Sequence, residues 1–341
     1  MAHEGGGRAI VAALAANLGI AVTKFVAFLV TGSSSMLAES VHSVADSGNQ
    51  LLLIIGGKRS RREPTPAHPF GFGRERYVYA FIVSIVLFSV GGLFALYEGW
   101  HKWGHPEPIE GRWWWVPIAV LVIAIGLESY SFRTAVRESN PLRGQRTWAQ
   151  FIRTAKAPEL PVVLLEDSAA LFGLVFALFG VGLTLVTGNG RWDAVSTGLI
   201  GLLLVCVAAV LAIEMKSLLI GEAARPQQLQ AITEALEAGE GDAITRVIHL
   251  RTMHLGPEEL LVAAKLAVGR KDYGHEIASA IDAAEQRARE AVPGMQLVMY
   301  LEPDLDRGPT DPARWDNAAV HPDSTYVPDK PGEVRDMGHS R

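Results

Sequence analysis

Long apolar runs fill about the first 220 of the 341 residues, and nothing else in the chain limits its fold as strongly. Six of them, at about 9–31, 36–57, 77–99, 114–134, 161–187 and 194–219, exceed the ~20 residues that cross a ~30 Å hydrocarbon core. Lipid offers backbone N–H and C=O groups no partner, so a spanning run must bond within itself, and the runs predict α-helices. The first run begins near Ala9 and is read as a span rather than a cleavable signal. Short turns join the first pair (Thr31-Gly32-Ser33-Ser34-Ser35) and the last pair (Gly188-Asn189-Gly190-Arg191), which predicts helical hairpins. Composition narrows the class further. A net charge of −5 gives no electrostatic support for binding nucleic acid. The single cysteine, Cys206, excludes intrachain disulfides, C-x-x-C redox chemistry and cysteine zinc knuckles. No Ser-His-Asp order, P-loop or phosphoacceptor motif stands out, so an enzyme is not expected.

The connectors orient the spans. Lys58, Arg59, Arg61, Arg62, Arg74 and Arg76 lie between the second and third, and Arg133, Arg137, Arg143, Arg146, Arg153 and Lys156 between the fourth and fifth. The opposite side carries only Lys102, Arg112 and Arg191. Lys and Arg stay on the cytoplasmic side, so an even number of spans places both termini there. Basic inner loops suit a bacterial plasma membrane, with an organelle membrane as the alternative. Trp113, Trp114 and Trp115 fall at the outer end of the fourth span as interfacial anchors.

Beyond Gly221 the pattern changes. Leu229, Ile232 and Leu236 recur at helical spacing, 244–253 and 259–268 read as strands around Gly256-Pro257, 273–291 as a helix with Ile277, Ala280, Ile281, Ala284 and Ala288 on one face, and Gln296–Leu301 as a last strand. The order αββαβ predicts a small soluble α/β domain. From about 306 to 341 the chain is Pro, Asp, Gly and Arg with little apolar content, and reads as a disordered tail in which His321 and His339 are weak metal candidates.

Within the second span, positions Glu39, His42, Ser43, Asp46, Asn49 and Gln50 form one stripe of a 3.6-residue helix. A charge at the bilayer centre costs ~2.5–3.5 kcal/mol on insertion scales, so a whole stripe must face protein, water or a cation. His42 and Asp46 stand one turn apart, and an imidazole converging with a carboxylate makes half of a site for a divalent first-row transition metal. The competing reading is a hydrogen-bonded seam that only joins helices; Ser, Asn and Gln would serve that purpose more simply. Glu166 and Asp167, near the start of the apolar part of the fifth span, are candidates for the other half. Consecutive helical residues are ~100° apart, so only one of them is expected to face the same point. Alternatively both acids cap the cytoplasmic end of that helix. Asn17 and Lys24 share a face of the first span, and with Glu128, Glu214 and Lys216 they read as structural polar groups, Lys24 pairing with an acid of the second or fourth span.

The stretch Thr31-Gly32-Ser33-Ser34-Ser35-Met36-Leu37-Ala38-Glu39-Ser40-Val41-His42-Ser43-Val44-Ala45-Asp46 resembles the cation diffusion facilitator (zinc transporter) family, as does the connector His68-Pro69-Phe70-Gly71-Phe72-Gly73-Arg74. The resemblance covers about residues 8–303. It implies an all-α six-helix transmembrane bundle over 1–220 and a ferredoxin-like (αββαβ) cytoplasmic dimerisation domain over 221–305. It also implies a homodimeric antiporter that exports Zn²⁺, or Fe²⁺, Co²⁺ or Mn²⁺, against protons, the metal being cargo and not a resident cofactor. His42 and Asp46 match the family's [HD]xxxD pair, and Asp167 matches the last acid of its HxxxD pair. Val163 stands where that pair has its imidazole, which leaves the fourth ligand to water or Glu166 ahead of Glu39. An oxygen-richer site weakens the preference for zinc over harder cations. His68 matches the connector motif and is either a ligand or a loop-packing residue. In the soluble domain, Lys265, Tyr300 and Glu302 occupy the strand positions where ligands are sought, and His249, His254 and His275 are scattered, so no multinuclear site is expected there. His101 and His105 belong to an outer connector. The mechanism implied is alternating access, in which metal binding expels protons from the ligands and entering protons displace the metal. A membrane-tethered metal sensor and a passive cation channel are the alternatives.

Overall fold

The computed structural model describes residues 5–31, 34–106, 114–239 and 243–305. Within its helices the side chains of 5–10, 12, 13, 16, 27, 28, 30, 31, 34–42 and 45 fall outside that description. The chain divides into two compact units, Met1–Gly221 with Leu255–Pro257, and Glu222–His254 with Glu258–Arg341. The expected tail at 306–341, with His321 and His339, lies outside the described residues, as does Trp113.

The described elements of Met1–Gly221 are helices. Its elements are α1 (Gly5–Thr31), α2 (Ser34–Arg59), α3 (Glu75–Val86), a π-helical turn (Leu87–Leu93), α4 (Phe94–Gly104), α5 (Val116–Arg143), α6 (Trp148–Thr154), α7 (Glu159–Thr187) and α8 (Arg191–Ile220). The stretches Glu75–Gly104, Val116–Arg143, Glu159–Thr187 and Arg191–Ile220 are long and apolar enough to cross a membrane. The protein is therefore an integral membrane protein. Its surface agrees: Phe172, Phe179, Val186 and Ile213 are more than half exposed, as suits side chains against lipid rather than water. α1 and α2 are 27 and 26 residues long. The polar stripe of α2 lowers its mean hydropathy, so length rather than composition makes it comparable with the other four.

Local chemistry explains where the helices differ from their apolar runs. α5 continues to Arg143, nine residues beyond the expected 134, and its buried face repeats at Val120, Ala124, Glu128, Ser131, Ala135 and Ser139. Hydropathy ends where lipid ends, whereas helical spacing carries the element onward. α6 was not expected. A capping box starts it: Thr147 accepts from the Gln150 backbone, and Gln150 accepts from the Thr147 backbone. α7 ends at Gly188, whose φ of +66° costs a side-chain-bearing residue a steric clash. The third expected span holds the π-helical turn, and its second half lies very close to α8. A Cβ on Gly201 would fall 2.7 Å from the Leu96 nitrogen, and one on Gly99 would fall 2.8 Å from the Gly198 nitrogen. Lys102 pairs with Asp193 at 3.0 Å to pin the same two helices.

The second unit comprises α9 (Pro226–Glu237), β1 (Ile244–Gly256), β2 (Glu259–Val268), α10 (Gly274–Ala291) and β3 (Gln296–Leu305). The sheet order is β1-β2-β3, and β2 runs parallel to β3 with Leu260 opposite Leu297 and Val262 opposite Met299. A parallel pair requires a crossover, which α10 supplies. Its small residues Ala280, Ala284 and Ala288 form a buried stripe in one core with Ile232 and Leu236 of α9 and Leu250, Leu260, Val262 and Leu266 of the sheet.

Candidate metal centre

The polar stripe of α2 and the acids of α7 meet inside the first unit. Asn49 Nδ2 donates to Glu166 Oε1 at 3.0 Å, and Gln50 Nε2 donates to Glu166 Oε2 at 2.8 Å. Asn17 of α1 donates through Nδ2 to Gln50 Oε1 at 3.3 Å, which extends the chain to a third helix. Asp167 accepts from Ser131 Oγ of α5 at 2.7 Å. Lys24 of α1 donates to Ser43 of α2 at 3.1 Å. All of these groups are buried, with Gln50 and Ser131 at 0% exposure and Asp167 and Asn49 at 2%. Asp46, partly buried on the same α2 stripe, lies within electrostatic reach of Glu128, Glu166 and Asp167. Lys24 lies within reach of Glu128. The bundle thus places four carboxylates from α2, α5 and α7 within one another's electrostatic reach, with the Lys24 ammonium in reach of Glu128. Such an arrangement favours an added cation, because like charges in a low-dielectric interior repel strongly.

Glu166 and Asp167 do not cap α7. Glu159 holds the first turn, paired with Arg76 of α3 at 3.1 Å, and the two further acids lie well inside the helix. They also serve different partners. The ~100° between consecutive residues turns Glu166 toward the amides of α2 and Asp167 toward α5. Both oxygens of Glu166 are occupied by amide donors, which suits a group that orients α2 better than one that takes a metal directly. Val163, one turn before Asp167, is 0% exposed and packs in the apolar cluster with Leu160, Val162 and Leu164.

The remaining candidates are placed as follows. His42 and Glu39 belong to α2, but their side chains lie outside the described ones. His68 is exposed in the connector. It exchanges backbone hydrogen bonds with Thr65 at 2.9 and 3.2 Å, and its ring lies 4.7 Å from that of Phe72. These contacts are all local to the connector. Among the described residues no three His, Cys, Asp or Glu side chains come together closely enough to hold a metal ion. In the second unit, Lys265 is tied to Glu302 at 3.3 Å and to Asp304 at 3.1 Å. His249 is held below the ordinary imidazole range by burial and by the charges of Arg251 and Lys265.

Reasoning from the sequence missed Ser131 and the division of labour between Glu166 and Asp167. Ser131 carries no signal of its own, yet it stands three residues after Glu128 on the α5 interior stripe, and that spacing places it on the acid's face. The expected pairing of Lys24 with an acid takes the form of a bond to Ser43 with Glu128 in electrostatic range.

A helical membrane unit whose interior gathers carboxylates, amides and an ammonium has the make-up of an ion-handling bundle. Residues 10–220 match the cation efflux transmembrane domain. The chain belongs to the cation diffusion facilitator, or cation efflux, family. It is 35% identical over 250 residues to the proton-coupled zinc antiporter SLC30A9, mitochondrial, of Xenopus laevis, covering 73% of this chain and 44% of that protein. It is 26% identical over 354 residues to metal tolerance protein C4 of Arabidopsis thaliana, covering 90% of this chain and 75% of the relative. It is 24% identical over 283 residues to the magnetosome protein MamM of Magnetospirillum gryphiswaldense, covering 80% of each. The chain spans less than half the length of the SLC30A9 relatives that it matches.

Proposed function

We propose that this protein exports a divalent transition-metal cation, Zn²⁺ before Fe²⁺, Co²⁺ or Mn²⁺, in exchange for protons. The observation that carries the reading is the meeting of α2 and α7 across buried Asn49, Gln50 and Glu166, with Asp46 and Asp167 in each other's electrostatic field. His42, Asp46 and Asp167 bind the cation. Glu166 holds α2 against α7, and Ser131 fixes the Asp167 carboxylate. Binding needs deprotonated ligands, so each cation that enters displaces protons, and protons entering from the other side displace it in turn. The name of the SLC30A9 relative supports both halves of the exchange, and the name of the metal tolerance protein supports a metal as cargo.

Six helices cross the membrane in this reading, with α1 and α2 added to the four apolar stretches, and both termini are cytoplasmic. The membrane is one that sustains a proton gradient, as the bacterial plasma membrane does. The second unit is a ferredoxin-like dimerisation module. A metal sensor built on that module is the alternative reading. The test is flux into reconstituted vesicles with Zn²⁺, Fe²⁺, Co²⁺ and Mn²⁺, with and without a pH gradient. Zinc movement that accelerates when protons are offered in counterflow supports the reading. Flux indifferent to the gradient indicates a channel, and equilibrium binding without flux indicates a sensor.

A further inference from the structure

Asn49 holds two roles in one amide. Its nitrogen donates to Glu166, and a carboxylate is an acceptor, so the amide oxygen must point away from α7's acid. That oxygen, Oδ1, is buried and has no hydrogen-bond partner among the described residues. A dry, unpaired acceptor is costly to a fold. Gln50, its neighbour, illustrates the alternative: its oxygen takes a donor from Asn17 while its nitrogen serves Glu166. Among the described residues, then, one of two adjacent amide oxygens has a donor and the other has none.

Asn49 also belongs to the right stripe of its helix. Asn49 follows Asp46 by three positions and His42 by seven, on one stripe of α2. On α7, Val163 fills the position one turn before Asp167 and presents only methyl groups. We propose that Asn49 Oδ1 is the ligand that replaces the missing α7 imidazole, with Glu166 serving to aim it. The cation would then be held by Asp46, Asp167, His42 and a neutral amide oxygen, a harder set than one with two imidazoles. It should accept Mn²⁺ or Fe²⁺ more readily beside Zn²⁺. The orphaned oxygen is then no defect: it completes its bonding only when the cation is present, and loading relieves the cost.

This inference rests on the proposed transport function, and the experiment separates the two. Equilibrium binding of Zn²⁺ and of Mn²⁺ to the full chain in detergent is measured for the wild type, Asn49→Ala and Asn49→Asp, with thermal unfolding to check folding. A ligand role predicts that Asn49→Ala loses at least tenfold in affinity, about 1.4 kcal/mol, more for Mn²⁺ than for Zn²⁺. Asn49→Asp, which keeps an oxygen, recovers to within about threefold of the wild type. If Asn49 serves only to donate to Glu166, the aspartate places carboxylate against carboxylate and is as poor as the alanine or worse. That result overturns the proposal. Should Asn49→Ala fail to fold, Asn49→Asp and Asn49→Ser are compared in a Val163→His background. There a supplied imidazole should make the residue at 49 immaterial, and an undiminished difference between the two would sink the assignment. A wild-type chain that binds neither metal removes the transport reading and this inference together, whereas a wild type that binds with Asn49→Asp still impaired removes only this inference.

Discussion

Both units bury apolar side chains, but among the described residues only the membrane unit buries a polar cluster with them and turns large apolar side chains outward. The membrane unit exposes Phe179 and Val186 and hides Gln50, Glu166 and Asp167, whereas the second unit hides Leu260, Leu266 and Ile232 and leaves Lys265 and Glu302 more exposed. Water makes the difference. In the second unit the removal of apolar surface from water drives folding, at roughly 25 cal/mol per Å². In a bilayer that drive is absent between helices, which associate through close packing and polar contacts. Hence the glycine approaches of Gly99 and Gly201, and hence hydrogen bonds that link Asn17, Gln50, Glu166 and Asn49 across three helices. The lesson is that a polar residue in the first unit is a candidate for function, while one in the second is ordinary until shown otherwise.

The largest way to break this contrast is to remove an acid from the membrane interior. Asp46→Ala or Asp167→Ala should abolish metal-dependent proton flux, a loss of about 100-fold, while the elution volume in size-exclusion chromatography stays that of the wild type. Normal flux in either variant would detach the acids from transport. A core deletion in the other unit should behave in the opposite way. Leu260→Ala should cost ~2–5 kcal/mol of that unit's stability by chemical denaturation, with zinc affinity of the full chain unchanged.

A subtler break targets the amides. Gln50→Leu leaves one Glu166 oxygen without its donor, and the buried deficit should cost ~1–3 kcal/mol, read as a lower unfolding temperature with weaker zinc binding. An unchanged melting curve would mean that water replaces the amide. Val163→His should raise the preference for Zn²⁺ over Mn²⁺ about tenfold in competition binding; an unaltered ratio would place residue 163 off the cation. The smallest effect belongs to the second unit. Burial first, then the charges of Arg251 and Lys265, depress His249. The unfolded imidazole, near ~6.5, therefore takes up its proton first as pH falls. Stability is complete above that value and declines as pH drops through the window below it. A histidine NMR titration should place His249 below its exposed neighbours, and Arg251→Ala should move it upward.

Much of this architecture was legible because periodicity survives without coordinates. The apolar runs located the helices, and the 3.6-residue stripe from Glu39 to Gln50 marked the face of α2 that meets other helices. The αββαβ order emerged from alternation and turn residues. Other features were not legible, for physical reasons. α5 runs past its apolar segment because a helix does not stop where lipid does. The short α6 depends on a Thr147–Gln150 cap too local to stand out. Glu166 and Asp167 looked interchangeable as neighbours, and only the position of α2 and α5 around α7 tells them apart. Asn49 and Gln50 differ by one methylene, and nothing short of a hydrogen-bond map reveals that, among the described residues, one oxygen has a donor and the other has none.

The claim on which all of this depends is that the cation sits within the bundle, between α2 and α7. A zinc-edge anomalous difference map of zinc-loaded crystals addresses it most directly. The account requires a peak inside the membrane unit, at ~2.0–2.2 Å from carboxylate oxygens of Asp46 and Asp167. A map whose zinc peaks lie only in the second unit, or on the surface beside His68, would contradict it.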